Sequence, residues 1–342
     1  MTPVELSRTV LRAVRCAVED GELSVGVPER AVVTPPGPGG RGDYATNIAL
    51  QLARPAGQPP LRVAEVLRPH LARAEGVAGV EITGPGFLNI SLDGSAASAL
   101  VRRIQLEGLR YGHTDRLAGQ VFAVRVPYEV RAEVLADVLA RIVGAQGGRV
   151  DIGHGEPVTL RPVPAPEDPA PLGLDAARWA LLHPAPHDRP RITADHLVQR
   201  ESNPLFRVRY AHARTRAVRR NAADLGFTGR PGPLDADGLV AALVALLADH
   251  PRIIAAAVPL PSPRGTSTGT PSSALDPSGP SRLTRHLLAL ADATLVLLPS
   301  VLPRGDEKPL AAHRARLALA EAAGAVLAGG LSLLGIDAPD HL

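Results

Sequence analysis

The sequence predicts a multidomain protein, mixed α/β in its N-terminal part and all-α in its C-terminal half. Three observations carry this. The 342 residues are enough for two or three domains at roughly 100 to 200 residues each. Helix-spaced and strand-like segments alternate up to about residue 152, whereas helical spacing is nearly unbroken from Leu174 onward. Between them lies RPVPAPEDPAP, whose prolines supply too few N–H donors for regular structure to continue.

The elements follow in order. From Pro3 to Asp20, Val4, Leu11, Val14 and Val18 recur at helical spacing with Arg8, Arg12 and Arg15 opposite, an amphipathic helix. Ala31 to Thr34 reads as a short strand, PPGPGG as a turn or loop, and Asp43 to Leu52 as a helix through Ala45, Ile48, Ala49 and Leu52, with Asp43 suited to cap it. Val63 to Arg73 is a further helix. Val80 to Ile82 and Phe87 to Leu92 form two strands joined by Gly84-Pro85-Gly86. Together these make a compact α/β unit over residues 1–112. Val121 to Val126, Arg131 to Gln146 and Arg149 to Ile152 then give one β-α-β step, with Val134, Leu135, Val138, Leu139 and Ile142 on one helix face. That step and the proline-rich linker occupy 113–172. Residues 173–342 read as a bundle with helices at Asp175 to Leu182, Thr193 to Arg200, Pro204 to Leu225, Asp235 to His250, Ser281 to Leu298 and Lys308 to Leu334. A polar, proline-rich stretch over 259–281 is expected to be a disordered loop.

Composition excludes several chemistries. Lys308 is the one lysine beside 36 arginines, so no mechanism needing several lysines is open. The net charge is +3, carried by guanidinium groups that stay protonated and fork well onto phosphate, which permits nucleic acid. Cys16 stands alone, so neither a disulfide framework nor a Cys-x-x-Cys zinc pair exists. The longest uninterrupted apolar run, Leu239 to Ala248, falls short of the roughly 20 residues that span a bilayer, and charges interrupt the N-terminal helix. The expectation is a cytoplasmic protein with no membrane contact, no metal and no cofactor.

Two strings carry more information than spacing. GDYATNIALQLA, a helix, and then VEITGPGFLNISL resemble the N-terminal additional domain of arginyl-tRNA synthetases over residues 3–112. In that family the domain holds the outer corner of the tRNA and contacts its D-loop. The resemblance therefore implies that Phe87 and Asn89 stack on and hydrogen-bond an unpaired base, with Tyr44 and Asn47 as lesser candidates. Aromatic faces and side-chain amides suit that task. The bland alternative makes Phe87 a core residue. GLDAARWALL, ESNPLFRVRYAHARTRAVRRNAADLGF, LTRHLLALADA and AHRARLALAEAAGAVLAGGLSLLGIDAPDHL resemble the same family's DALR anticodon-binding bundle. There Arg207, Arg209, Arg214, Arg216, Arg219 and Arg220 crowd one helix with Tyr210 and His212, with few acids between them, as a phosphate-binding groove wall would.

The chain also departs from that family. Thr294, Leu295 and Leu297 stand where aromatics are usual, His286 replaces a tyrosine, and Leu342 stands in place of a final methionine. Synthetases place a class I catalytic domain of a few hundred residues between the two modules, with HIGH and commonly KMSKS-like motifs; here about 60 residues resemble its truncated Rossmann remnant. Asp151-Ile152-Gly153-His154 matches HIGH in part, but proline-rich chain and no helix follows it. No P-loop, His-Glu-x-x-His or Gly-x-Ser-x-Gly occurs, and His187-Asp188 and Asp195-His196 read as ordinary loop polar residues. The expected function is noncatalytic tRNA binding by a degenerate synthetase relative without catalytic residues. The alternatives are a protein-interaction or regulatory module, pairing with a full-length arginyl-tRNA synthetase or another protein, and a residual arginine-tRNA ligase activity.

Overall fold

The protein is described by a computed structural model covering residues 1–37, 41–234, 238–258 and 275–342. The chain divides into two units. The first holds Met1–Arg102 and Pro231–Asp249, and the second Arg103–Arg230 and His250–Leu342.

In the first unit, α1 (Pro3–Glu19) starts in a capping box: Thr2 accepts from the Glu5 N–H while the Glu5 carboxylate accepts from the Thr2 N–H. It packs with α2 (Ile48–Ala56) and α3 (Pro60–Ala72) over a four-stranded antiparallel sheet ordered β1 (Val33–Thr34), β2 (Tyr44–Thr46), β4 (Phe87–Leu92) and β3 (Val77–Thr83). Leu6, Val10 and Val14 of α1 share one core with Leu88 and Ile90 of β4. Strand alternation therefore puts Phe87 and Asn89 on the other face of that sheet. A segment expected to open a helix is instead strand β2. Asp43 does not cap α2: its N–H donates to the Ile90 carbonyl at 2.9 Å and its carboxylate accepts from the Leu92 N–H at 2.7 Å, so it clamps the chain to β4. Gly42, at φ 106°, makes that approach possible, since a Cβ there would lie 2.9 Å from the Ile90 oxygen. An additional helix, α4 (Gly94–Glu107), follows β4.

The second unit opens on β5 (Val121–Val126), α5 (Val130–Gly144) and β6 (Arg149–His154), with β5 and β6 the one parallel pair among the described residues. Helices α6 (Gly173–Leu182), α7 (Pro204–Asp224), α9 (Gly279–Leu297) and α10 (Ala311–Leu334) build the bundle, and α8 (Gly238–Ala255) precedes α9 in the chain. Close crossings need small residues. A Cβ on Gly324 of α10 would meet the Thr215 hydroxyl of α7 at 2.3 Å, and one on Gly330 would meet Leu287 of α9 at 2.4 Å. By length and hydropathy alone α8 and α10 reach the range of a membrane span, which counting uninterrupted apolar residues does not register; 78% of the α10 window is buried by protein, against 33% for α8. Burial of that extent makes α10 a core helix of the bundle.

Two expectations in this half are corrected. Thr193 to Arg200 holds only a short 3-10 turn, Ala194–Leu197, because the Asn203 amide takes the carbonyls of His196 and Val198 at 2.8 and 2.9 Å, withdrawing them from a helical ladder. Of the loop expected over 259–281, residues 259–274 lie outside the described residues, but 275–281 are placed. There the Asp276 N–H donates to the Ala257 carbonyl, Arg282 pairs with Asp276 at 2.8 Å, and α9 begins at Gly279.

Candidate nucleic-acid interface

Asn203 starts α7: its side-chain oxygen accepts from the Leu205 and Phe206 N–H groups ahead of Pro204 at the first helical position. Leu205, Val208, Ala211, Thr215, Val218 and Ala222 bury one face, which turns the arginines outward. They do not stand alone there. Arg207 pairs with Asp292 of α9, Arg209 with Asp175 of α6 at 3.2 Å, Arg216 with Asp340 at 2.9 Å and Arg219 with Glu321 of α10 at 3.5 Å. The scarcity of acids holds along α7 itself, and four carboxylates from elsewhere in the chain make it up. Arg220 lies 3.4 Å from the His341 ring nitrogen.

Arg214 is exposed and makes no ion pair within 4.0 Å among the described residues. Its guanidinium lies 5.9 Å from the Tyr210 ring centre, and Tyr210 stacks on Phe206 at 5.4 Å with 18° between planes. Phe206, Tyr210 and Arg214, four residues apart, thus form a π-stacked column along one helix face, with Tyr210 37% exposed. Phe206 was not singled out in the sequence, although its i, i+4 relation to Tyr210 is the signal for it. His212 points inward: it is 4% exposed, its Nδ1 lies 3.1 Å from the Pro339 carbonyl, and burial holds its imidazole below the usual histidine range.

In the first unit the Gly84-Pro85-Gly86 turn leaves Phe87 40% exposed at the start of β4. Gly86, at φ 135°, passes so close to Pro60 that a Cβ would lie 2.9 Å from its oxygen. Asn89 is 3% exposed and donates to the Thr83 hydroxyl at 2.8 Å, so its amide closes the β3–β4 hairpin from within. Tyr44 is also buried, and burial, with Asp249 and Asp43 nearby, pushes its phenol well above the ordinary value. Asn47 sits at the N-cap of α2 without capping it and accepts from the Gln51 amide at 2.9 Å. Of these four, Phe87 presents a ring to solvent.

Both regions match known families. A family model described as the arginyl tRNA synthetase N terminal domain matches residues 8–92, and one described as the DALR anticodon binding domain matches 208–342. The chain is arginyl-tRNA synthetase-like. The arginine–tRNA ligase of Renibacterium salmoninarum is 45% identical over 163 residues, covering 44% of this chain and 30% of that protein. That of Frankia alni is 40% identical over 161 residues, covering 43% and 28%. The matched stretch therefore spans less than a third of the length of these curated relatives. Thermus thermophilus arginyl-tRNA synthetase superposes with a TM-score of 0.65 at 15% identity, covering 100% of both chains, which establishes a shared fold.

The segment between the two matched regions of this arginyl-tRNA synthetase-like chain has its own geometry. The N-terminus of α5, facing the ends of β5 and β6, is where an anion would be attracted by free N–H groups and the helix dipole. Glu129 occupies that position. One of its oxygens accepts from the Ala132 N–H at 2.9 Å and the other from the Ala165 N–H at 3.0 Å, with Glu133 adding charge in the first turn. His154 ends β6 beside the first turn of α5: it stacks on the exposed Tyr128 ring at 4.3 Å and lies 3.4 Å from Glu133, and the next element after it in the chain is only the 3-10 turn Ala170–Leu172. Behind α5's first turn, Arg131 is 1% exposed and donates to five carbonyls, those of Val163, Leu181, Pro184, Ala185 and Asp188. The positions where aromatics are usual in α9 are likewise structural: Thr294 is fully buried with its hydroxyl on the Leu290 carbonyl, Leu297 is 2% exposed and Leu295 is half-buried. His286 is buried and stacked on His250 at 5.3 Å.

Proposed function

We propose that this chain is a noncatalytic tRNA-binding protein that contacts the tRNA elbow through the first unit and the anticodon region through α7. The observation that carries the reading is the Phe206–Tyr210–Arg214 column within a DALR-type bundle. Aromatic faces stack on unpaired bases at a cost of about 1–3 kcal/mol per base when removed, and guanidinium groups neutralise phosphates. Phe87 offers a second exposed ring in the other unit. Two weak sites on one chain gain affinity through effective concentration when their span fits the ligand.

The noncatalytic half of the reading rests on the α5 N-terminus. A nucleotide triphosphate approaching the parallel strands would meet the Glu129 carboxylate, already bonded to the helix amides, and Glu133 beside it. Lys308 is the one lysine and lies between α9 and α10, so no pair of ammonium groups is available to pyrophosphate. Both halves are tested on the purified full chain: gel shift with unfractionated tRNA supports the binding role, and arginine-dependent ATP–pyrophosphate exchange at ligase-like rates overturns the noncatalytic one.

A second reading, a protein-interaction or regulatory module that pairs with a full-length synthetase, draws on the neutralisation of Arg207, Arg209, Arg216 and Arg219 by carboxylates of the same chain. Absence of tRNA binding at low salt, together with co-elution with arginyl-tRNA synthetase, favours it.

A further inference from the structure

Helix α1 keeps three arginines on one ridge. Arg8, Arg12 and Arg15 are separated by four and three residues, all three are exposed, and none makes an ion pair within 4.0 Å among the described residues. This pattern is costly for a merely solvated helix. Like charges at i, i+4 destabilise by about 0.2–0.5 kcal/mol each, and the usual surface helix alternates sign along such a ridge to avoid it. Glu5 is drawn away to the Thr2 N–H in the capping box, and Glu19, four residues after Arg15, closes the ridge at its C-terminal end without pairing within 4.0 Å among the described residues. The Ser7 hydroxyl donates to the Ala31 carbonyl at 2.7 Å, so the segment carrying the exposed Glu29 and Arg30 passes beside α1.

The opposite face of α1, with Leu6, Val10 and Val14, is buried in the same core as Leu88 and Ile90 of β4. The arginine ridge therefore looks away from the face bearing Phe87 and cannot belong to the same local contact. Along the helix axis the three guanidinium groups span roughly 10 Å at 1.5 Å per residue. One strand of double-stranded DNA carries a phosphate about every 3.4 Å of axis, so a ridge of roughly 10 Å runs past about four consecutive phosphates and can neutralise up to three of them.

We infer that the Arg8–Arg12–Arg15 ridge is a second RNA-contacting surface of the first unit, a sequence-independent track for the phosphate backbone set apart from the Phe87 face. This inference rests on the tRNA-binding reading above. The test uses the full chain and unfractionated tRNA, with affinity measured across salt for the wild type, R8Q/R12Q/R15Q and R8K/R12K/R15K. The glutamine variant loses about ten-fold or more in affinity at low salt, and its log–log salt slope becomes shallower by about two; the lysine variant keeps most of both. If the wild type binds and the glutamine variant retains its affinity and slope, the ridge is not an RNA surface while the broader reading stands. If the lysine variant loses as much as the glutamine variant, charge is not what the ridge supplies, and the inference fails. Loss of binding to phosphatidylserine vesicles with unchanged tRNA binding assigns the ridge to a membrane and overturns it. Failure of the wild type to bind removes the broader reading itself.

Discussion

Asp340 presents both carboxylate oxygens to Arg216, with Nε to Oδ1 at 2.9 Å and a terminal nitrogen to Oδ2 at 3.1 Å. This two-point geometry is the one guanidinium uses for phosphate. The hydrogen bond from Arg216 holds the Asp340 carboxyl below the usual carboxylate range, so it is ionised across the physiological window.

On the proposed tRNA-binding reading, the Asp340 carboxylate would compete with RNA phosphate for Arg216. D340N frees the guanidinium, and because exposed pairs are weak, tRNA affinity rises by up to about five-fold at low salt. Competitive gel shift of wild type and D340N checks this. Unchanged or weaker binding by D340N contradicts it.

Tyr210 is the central plate of the α7 column and is exposed enough to be removed without opening the core. Y210A costs about 1–3 kcal/mol in tRNA affinity, while Y210F retains the stacking face. The unfolding midpoint stays near the wild-type value in both. Equal losses in Y210A and Y210F would point to the hydroxyl rather than the ring.

Arg131 is a peg. Its five carbonyl partners come from Val163 and from the turn between Leu181 and Asp188. R131A strands these carbonyls in a buried site and costs about 3–5 kcal/mol in urea denaturation. Limited proteolysis of the variant cuts first between residues 181 and 188. Wild-type stability in R131A would show that the carbonyls find other donors.

The buried histidines set an acid limit. His250, stacked between Tyr111 and His286, is held well below its ordinary value, first by burial and then by His286 and His113; burial likewise lowers His183 and His212. Each then binds a proton more readily unfolded than folded. Stability is fully present above about pH 6.5, the unfolded value, and is lost as pH falls from there toward the lower native values. Thermal unfolding between pH 7.5 and 5 should show a falling midpoint, with a shallower fall in H250Q. An equal fall in H250Q would remove His250 from the account.

Sequence legibility followed how local the cause of each element was. Helix α5, strand β4 and the extent of α7 depend on periodicity and on neighbours within a few residues, and they stand close to where spacing places them. Strand β2 does not: Tyr44–Thr46 becomes a strand by pairing with Leu88–Ile90, more than 40 residues away. The 3-10 turn at Ala194–Leu197 likewise depends on the Asn203 amide. At the candidate interface the arginines of α7 were legible, but their carboxylate partners arrive from α6, α9, α10 and the segment after α10, and only the folded bundle brings them there. Asn89 is the same lesson in the other unit, an amide that reads as a base contact and is spent on Thr83.

The central claim, that this arginyl-tRNA synthetase-like chain binds tRNA by neutralising phosphates, is tested most directly by the salt dependence of its affinity for unfractionated tRNA. Each phosphate neutralised should contribute about −0.7 to −0.9 to the slope of log affinity against log salt. The exposed or weakly paired Arg214, Arg219 and Arg220 of α7 and the ridge of α1 predict a slope of about −4 to −5. No binding at low salt, or binding with a slope near zero, contradicts it.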